Sequence, residues 1–231
     1  MSKILFVMTG VDYWTLADGT KHPTGFWAEE VIAPYEALKA AGHEIVVATP
    51  GGVVPTVDAG SLSPEANGGQ DGADKAAAAL ASISEIENPV KLEDVRPADY
   101  DAVYYPGGHG PMEDLAGNAV SGRLLADTLR SGKPLAVVCH GPAALLAATD
   151  ADGSNAFAGR KVAAFTNAEE MQAGLGGKAK WLLETRLVEA GVDVQVGEPW
   201  APHVVVDGNL VTGQNPSSSA PLAVELLKKL T

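Results

Sequence analysis

The sequence predicts one doubly wound α/β domain with a mostly parallel sheet flanked by helices. Apolar runs of strand length alternate with longer helical patterns, which is typical of parallel βαβ units. The chain has 231 residues, a length that suits one large domain of this class. Hydrophobic residues make up 46% and charged residues 19%, as in a globular protein with a well-filled core. We therefore expect residues 1–231 to form a single domain.

The first part of the chain supplies most of the predicted sheet. Four apolar segments are predicted strands, namely 4–8, 44–48, 102–105 and 135–138. A helix is predicted over 26–41, and Gly42 is well placed to end it. A second helix is predicted over 119–131.

Further elements follow the fourth strand. A helix is predicted to begin at Gly141, with Pro142 in its first turn, where proline is tolerated. The remaining predicted elements are strands 162–165 and 193–196, a helix at 180–190, a hairpin of 204–206 and 210–212, and a final helix at 220–230.

Residues 51–98 interrupt this alternation. They are rich in Gly, Pro, Ala and Asp, with one Ala-rich helical piece over 74–86. We interpret the segment as a surface excursion that covers or lines a site, and not as a separate domain.

Charge and cysteine content exclude several function classes. The net charge is −13 with 16 basic residues, so the basic footprint of a nucleic-acid-binding protein is missing. The single cysteine cannot form an internal disulfide, which fits a reducing compartment. No apolar run approaches the length of a membrane span, and no cleavage site follows strand 4–8. We expect a cytoplasmic protein without nucleic-acid or membrane partners.

Cys139, the only cysteine, lies between strand 135–138 and the helix that begins at Gly141. A strand–turn–helix junction of this kind is the geometry of a nucleophile elbow. The helix amino terminus is expected to lower the pKa of the thiol, and its free N–H groups are suited to stabilising an oxyanion. The alternative is an inert core residue, because lone cysteines are among the most buried residue types. The adjoining His140 favours the catalytic interpretation.

A second glycine-rich motif follows strand 102–105. It reads Tyr-Pro-Gly-Gly-His-Gly over 105–110, and its glycines allow the backbone to approach a ligand closely. Ligands of open α/β sheets bind beyond the carboxyl ends of the strands, where this motif and Cys139 would meet. A plain glycine-rich turn is the alternative.

The residues alone do not identify an acidic partner for Cys139. Glu29 and Glu30 lie near the start of the first predicted helix, where acids usually serve as partners of the helix dipole. Glu169 and Glu170 could equally cap a helix. The choice among these four acids stays open at this point.

Metal and nucleotide sites are not expected. His22, His43 and His203 have no metal-ligand spacing with the cysteine or with each other. The chain also has no Walker motif and no dinucleotide-binding glycine fingerprint. No metal and no cofactor are therefore predicted.

The sequence resembles the ThiJ/PfpI superfamily, and specifically its branch of heat-shock chaperones and glyoxalase III enzymes. Four blocks carry the resemblance in the family's order: TGFWAEE at 24–30 with Pro34 behind it, PGGHG at 106–110, AVVCHGP at 136–142 and VTGQNP at 211–216. They span nearly the whole chain, and the second and third together are quite specific. The resemblance implies a flavodoxin-like three-layer α/β/α sandwich related to class I glutamine amidotransferases.

The resemblance also ranks the carboxylates. The family's helix-borne glutamate falls on Glu30, and its triad acid, which follows a Phe-Thr about thirty residues beyond the cysteine, falls on Glu170. A one-residue alignment gap would put Glu169 in that place instead.

The implied oxyanion donors are the backbone amides of Gly108 and His140, with His109 as a further substrate-binding candidate. The branch does not fix the activity. Among the activities of its members, we favour a glutathione-independent glyoxalase, a D-lactate dehydratase-like lyase that converts methylglyoxal or a related 2-oxoaldehyde to a 2-hydroxy acid. Cys139 would form the hemithioacetal, and His140, oriented by Glu170, would move the carbon-bound proton. Glu30, beside the thiol, would have a raised pKa.

Other members of the branch imply other activities. One alternative is a redox-sensitive holdase chaperone or a protein deglycase, acting on unfolded or glycated protein clients. A cysteine amidase or peptidase would use the same triad. The resemblance further implies a homodimer.

Overall fold

The computed structural model describes residues 1–230. Its strands are β1 (Lys3–Val7), β2 (Tyr13–Thr15), β3 (Lys21–Pro23), β4 (Glu44–Thr49), β5 (Val90–Lys91), β6 (Ala102–Tyr105), β7 (Leu135–Val138), β8 (Lys161–Val162), β9 (Asp193–Val194), β10 (Val204–Asp207) and β11 (Leu210–Gly213). Its α-helices are α1 (Ala28–Ala40), α2 (Gln70–Ala81), α3 (Ser84–Glu87), α4 (Gly110–Glu113), α5 (Ala119–Ser131), α6 (Asn167–Gln172), α7 (Leu183–Glu189) and α8 (Ser219–Lys229).

The central sheet has seven strands in the order β10-β11-β7-β6-β1-β4-β5. All neighbouring pairs are parallel except β10 and β11, which form the predicted hairpin. Strands β6, β7 and β11 are buried along their whole length, as expected for parallel strands covered on both faces. The predicted doubly wound, mostly parallel sheet is confirmed.

Helices pack on the sheet in two groups. Helix α1 packs against α2 and α8, whereas α5 and α7 pack against a 3₁₀-helix formed by Gly141–Ala147. These groups cover opposite faces of the sheet and complete the three-layer sandwich. None of the helices within residues 1–230 is long and apolar enough to cross a bilayer.

The prediction of strands at 162–165 and 193–196 is wrong in extent and in place. Only Lys161–Val162 and Asp193–Val194 form strands, and they pair with each other outside the central sheet. Beyond β8 the Ala163 amide donates to Thr212 Oγ1 at 2.8 Å, and the Phe165 amide donates to the Cys139 carbonyl at 2.9 Å. The hairpin strand β11 already occupies the position beside β7, so this apolar segment crosses the end of the sheet towards Cys139.

The structure refines three of the predicted elements. The helix predicted to begin at Gly141 does begin there, and it is a 3₁₀-helix. The helix predicted over 74–86 is split into α2 and α3, because Ser82 ends α2 with its hydroxyl on the Ala79 carbonyl at 2.6 Å. The excursion 51–98 also contributes β5, which pairs with β4 at the edge of the sheet.

Candidate active site

Cys139 occupies a strained turn at the carboxyl end of β7. Its φ is 59°, in the left-handed region that residues other than glycine rarely adopt. Its backbone amide donates to the Gly213 carbonyl at 2.9 Å, and its own carbonyl accepts from the Phe165 amide. These bonds tie the turn to β11 on one side and to the segment before α6 on the other. The strain and its support are those of a nucleophile elbow.

Glu30 projects from the first turns of α1 and is fully buried. Its Oε2 accepts the Gly107 amide at 2.6 Å, and the Tyr104 hydroxyl donates to its backbone carbonyl at 2.5 Å. The carboxyl also lies within hydrogen-bonding reach of the Cys139 thiol. Its Oε1 is buried and has no hydrogen-bond partner among the described residues. A proton on this carboxyl would remove the cost of burying a negative charge there.

Burial raises the pKa of Glu30 to about 8, although hydrogen bonds from Cys139 and the Gly107 amide oppose the rise. Burial, and then the charge of Glu30, also raise the pKa of the Cys139 thiol well above its ordinary value. The amides of Gly108 and His140 pull that pKa downwards, as predicted for the start of a helix, but they are outweighed. The expected lowering of the Cys139 pKa is therefore corrected. A proton on Glu30 removes the repelling charge and leaves a hydrogen-bond donor for a thiolate.

His140 lies between Cys139 and Glu170. Its Nδ1 is 3.3 Å from Cys139 Sγ, and its Nε2 is 2.6 Å from Glu170 Oε2. Burial, followed by the neighbouring His109, lowers the pKa of His140, so the ring is neutral at physiological pH. A neutral imidazole held in this way can accept the thiol proton.

Glu170 also contacts a second histidine. Its Oε1 is 2.8 Å from His109 Nε2, so one carboxylate holds two imidazole rings whose centroids are 4.1 Å apart. Burial acts to raise the pKa of Glu170, but the two histidines outweigh it and hold that pKa well below its usual range. His109 is stacked on Trp14 at 4.8 Å, which fixes the plane of its ring.

Glu169 points away from the histidines. Its Oε2 accepts from the amide and the hydroxyl of Thr166 in a capping box at the start of α6. Its Oε1 accepts from the Trp200 amide at 2.8 Å. Consecutive residues of a helix point in different directions, so only Glu170 reaches His140. The structure therefore brings Cys139, His140, Glu170 and Glu30 together and leaves Glu169 outside this set.

Gly108 has a φ of +83°, and a Cβ at this position would collide with the Gly25 carbonyl. Both the positive φ and the close approach of the Gly25 carbonyl therefore require glycine at this position. The backbone amides of Gly108 and His140 both point at the Cys139 thiol. Two N–H donors converging on the sulfur are placed to stabilise a negative charge that forms next to it.

A small cavity of about 80 Å³ opens above the thiol. It is lined by aromatic, histidine and small residues: Trp27, Gly108, His109, Cys139, His140, Phe165, Ala173, Trp200 and Pro216. This volume is well below the 300–1,000 Å³ of pockets for drug-sized ligands, so it suits a molecule of a few heavy atoms. None of the lining residues is a lysine or an arginine.

Sequence reasoning missed four aromatic residues of this site: Trp14, Trp27, Phe165 and Trp200. Trp27 lies within the TGFWAEE block at 24–30, which was a usable signal. Trp200 lies on a loop outside every motif, and no feature of the neighbouring sequence indicated that it belongs to the site.

The imidazole and carboxylate groups form one possible metal-ligand set. The ligand atoms of His109, His140 and Glu170 lie within 4.8 Å of one another. Each histidine already uses Nε2 to contact Glu170. A divalent cation could enter only by replacing these hydrogen bonds.

Comparisons with known proteins give a consistent set of relatives. The model of the DJ-1/PfpI family matches residues 23–229. The Glutamine amidotransferase-like class 1 domain-containing protein 1 of Bos taurus is 36% identical over 191 residues, which are 82% of each chain. Glyoxalase 3 of Candida albicans is 28% identical over 98% of each chain.

Solved structures agree with these relatives. The crystal structure of glyoxalase III from Candida albicans has a TM-score of 0.83 at 26% identity, covering 99% of this chain and 97% of the other. That of Rapid Encystment Protein 24 KDa from Francisella tularensis has a TM-score of 0.87 at 30% identity, covering all of both chains. The predicted ThiJ/PfpI resemblance is confirmed, and with the family model matching nearly the whole length, the chain belongs to the DJ-1/PfpI family.

Proposed function

We propose that the protein is a glutathione-independent glyoxalase that converts methylglyoxal, or a related small 2-oxoaldehyde, to a 2-hydroxy acid. The observation that carries the proposal is the buried Glu30 carboxyl, with a pKa of about 8, beside the thiol of Cys139, which lines the small cavity. Proton transfer between carbon and oxygen next to a sulfur is the central step of such a reaction. A protonated carboxyl and a neutral imidazole at the same thiol are suited to it.

The first step is addition of Cys139 to the aldehyde carbon. His140 Nδ1 takes the thiol proton, and Glu170 stabilises the imidazolium that forms. The sulfur bonds to the aldehyde carbon, and the carbonyl π electrons move to its oxygen. The amides of Gly108 and His140 stabilise this oxygen until it regains a proton from His140, giving a hemithioacetal.

The second step converts the hemithioacetal to a thioester. His140 removes the proton from the former aldehyde carbon, and the electron pair forms an enediol with the neighbouring carbonyl carbon. Glu30 donates a proton to an enediol oxygen or shuttles it between the two oxygens. His140 returns its proton to the second carbon, and the hydroxyl on the sulfur-bearing carbon gives its proton back to Glu30, which leaves a thioester on Cys139 and a hydroxyl group on the neighbouring carbon.

Hydrolysis of the thioester completes the cycle. Water attacks the thioester carbon, the C–S bond breaks and the Cys139 thiol regains its proton. The aldehyde carbon is oxidised to a carboxylic acid while the ketone carbon is reduced to an alcohol. The two changes balance within the substrate, so the reaction needs no external oxidant or reductant.

The size and charge of the cavity support a small neutral substrate. Cys139 is only 3% exposed, which disfavours a bulky glycated or unfolded protein as the direct substrate. The lining has no cation to bind the carboxylate of an amino-acid amide, which disfavours an amidase. The similarity to Glyoxalase 3 of Candida albicans over 98% of both chains supports the same choice.

A lactate assay with purified protein, methylglyoxal and no added thiol tests the proposal. We expect the wild type to form lactate and Cys139→Ala to form none. Glu30→Gln should lose activity, and Glu29→Gln is its matched control, since Glu29 is the adjacent acid of α1 but is exposed. Equal turnover by wild type and Cys139→Ala would reject the mechanism. Release of ammonia from amides, without acid formation from aldehydes, would favour the amidase instead.

A further inference from the structure

Trp200 has an unusual backbone for its position. Its φ is 63°, and within residues 1–230 only Cys139 shares a positive φ among residues other than glycine. The side chain lines the cavity above the thiol, and 43% of the residue is exposed. Such a backbone is strained and persists only where the surroundings fix it.

Two side chains of α6 fix Trp200. Its amide donates to Glu169 Oε1 at 2.8 Å, and its indole Nε1 donates to Gln172 Oε1 at 2.6 Å. The indole ring meets Phe165 edge-on, with centroids 5.5 Å apart, and Phe165 lies 4.3 Å from the His140 ring. The indole is thus held as one wall of the cavity, and Phe165 lies between it and the ring of the proposed base.

Glu169 is the centre of this support. Its Oε1 also accepts from Gln214 Nε2 at 3.1 Å and from Asn215 Nδ2 at 2.9 Å. Asn215 Nδ2 additionally donates to the Ala201 carbonyl at 2.8 Å, which ties down the residue after Trp200. With the two donors of Thr166 on Oε2, the fully buried carboxylate accepts five hydrogen bonds. It joins the start of α6, the Trp200 loop and the segment after β11.

We propose that the Trp200 indole limits the size of the group that a substrate can carry on its 2-oxo carbon. In the same proposal, Glu169 is the positioning residue that holds the indole in place. As a statement on substrate choice, the inference rests on the proposed glyoxalase function of the site. A fixed indole beside an 80 Å³ cavity leaves room for a methyl group on the 2-oxo carbon and excludes an aromatic ring. Adjacent acids of α6 thus have separate tasks, Glu170 at the histidines and Glu169 at the wall.

A comparison of methylglyoxal with phenylglyoxal tests the size limit. We expect Trp200→Ala to raise the ratio of kcat/KM for phenylglyoxal to that for methylglyoxal by about tenfold or more. Trp200→Gly should do the same without the backbone strain, and it serves if the alanine variant does not fold. Val196→Ala is the control, since Val196 lies on the same loop, is exposed and does not line the cavity. An unchanged ratio in a folded Trp200 variant would overturn the proposal.

Alkylation of Cys139 tests the same wall without any turnover. The chain has one cysteine, so every label reports on this thiol. The probes are N-ethylmaleimide and the bulky N-(1-pyrenyl)maleimide. We expect Trp200→Ala to raise the rate ratio of the bulky to the small reagent by about tenfold. If both rates rise by one common factor, the variant has merely loosened the site and the proposal fails.

The two assays separate the two hypotheses. If the wild type forms no acid from either aldehyde, the glyoxalase proposal is wrong. The ratio of the alkylation rates of the two maleimides then tests the role of Trp200 by itself. A double-mutant cycle decides the role of Glu169. Glu169→Gln should raise the alkylation ratio in the wild-type background and leave it unchanged in the Trp200→Ala background. Equal effects in both backgrounds would mean that Glu169 supports the fold generally, and its positioning role would be discarded.

Discussion

The Glu30 carboxyl lies against the Cys139 thiol, and both groups are buried at the carboxyl ends of the parallel strands. Burial raises the pKa of both groups, and the charge of Glu30 raises that of Cys139 further, because two negative charges would then lie side by side in a medium of low polarity. Since the pKa of Glu30 is about 8, the pair retains a proton at neutral pH. The thiol is therefore controlled by a carboxyl group as well as by His140.

Replacing Glu30 with glutamine is expected to lower the pKa of Cys139. In the wild type, burial and then the charge of Glu30 raise that pKa, and a neutral amide removes the second cause. The rate of alkylation by iodoacetamide as a function of pH gives the midpoint of the Cys139 titration directly, because Cys139 is the only cysteine. Glu29→Gln should not change this midpoint. A Glu30→Gln midpoint equal to that of the wild type would show that the two groups are not coupled.

The same substitution should lower turnover of methylglyoxal even though it favours the thiolate. Glutamine can donate a hydrogen bond but cannot transfer a proton to the enediol. General acid–base catalysis contributes on the order of 10²–10⁴-fold, and we expect a loss of that size in kcat. Lactate formation by Glu30→Gln and Glu29→Gln measures it. Full activity of Glu30→Gln would remove Glu30 from the mechanism.

Glu30 should also make the stability of the protein depend on pH. Its pKa is about 8 when folded and about 4.3 in an unfolded chain, so between these values the folded state binds the extra proton. Stability is therefore greatest below the unfolded pKa and is lost as the pH rises towards about 8, by up to about 1.4 kcal/mol per pH unit. Urea unfolding of wild type and Glu30→Gln across this pH range should show that the free energy of unfolding falls more steeply with pH in the wild type. Asp114, with a pKa raised by burial to about 6, contributes equally in both proteins, so its effect cancels in the difference between them. If the free energy of unfolding changes with pH in the same way in both proteins, the pKa of Glu30 is not raised.

The sequence carried enough information to place the nucleophile. A buried strand followed by Cys-His-Gly-Pro is a local pattern. A prediction from such a pattern holds when the strand lies inside the central sheet, as β7 does. Phe165 shows the limit of such patterns. Its apolar neighbourhood suited a strand, but no free edge of the central sheet was available beside β7.

The pKa of Cys139 shows a second limit. The start of a helix is visible in the sequence, whereas the complete burial of the thiol is not. The residues alone left Glu30 as one of four candidate acids, and only the family resemblance placed it beside the thiol. Trp200 was hidden for a similar reason, since its place depends on hydrogen bonds to Glu169 and Gln172, which are about thirty residues away.

Glu170→Gln should impair catalysis and change its pH dependence. The charge of Glu170 opposes the lowering of the His140 pKa by burial, so its loss should lower that pKa further. The acidic limb of the profile of kcat/KM for methylglyoxal should therefore move to lower pH. We also expect kcat to fall by roughly 10²–10⁴-fold, because an amide cannot hold two imidazole rings or stabilise an imidazolium. Glu189→Gln, on the exposed end of α7, is the control. If the acidic limb of the Glu170→Gln profile stays at the pH of the wild type, Glu170 does not act through His140.

Gly108→Ala should damage both the fold and the site, whereas Gly117→Ala should not. Gly108 has a φ of +83°, and an added Cβ would collide with the Gly25 carbonyl, a backbone atom that cannot rotate away. The strained conformation alone costs on the order of 1–3 kcal/mol, and the collision would displace the amide that points at Cys139. An added Cβ at Gly117 meets nothing within 4 Å, so that variant should be neutral or stabilised by about 0.4–1 kcal/mol through the unfolded chain. Thermal unfolding and lactate formation compare the two variants. If both keep wild-type stability and turnover, the Gly108 amide has no part in the oxyanion site.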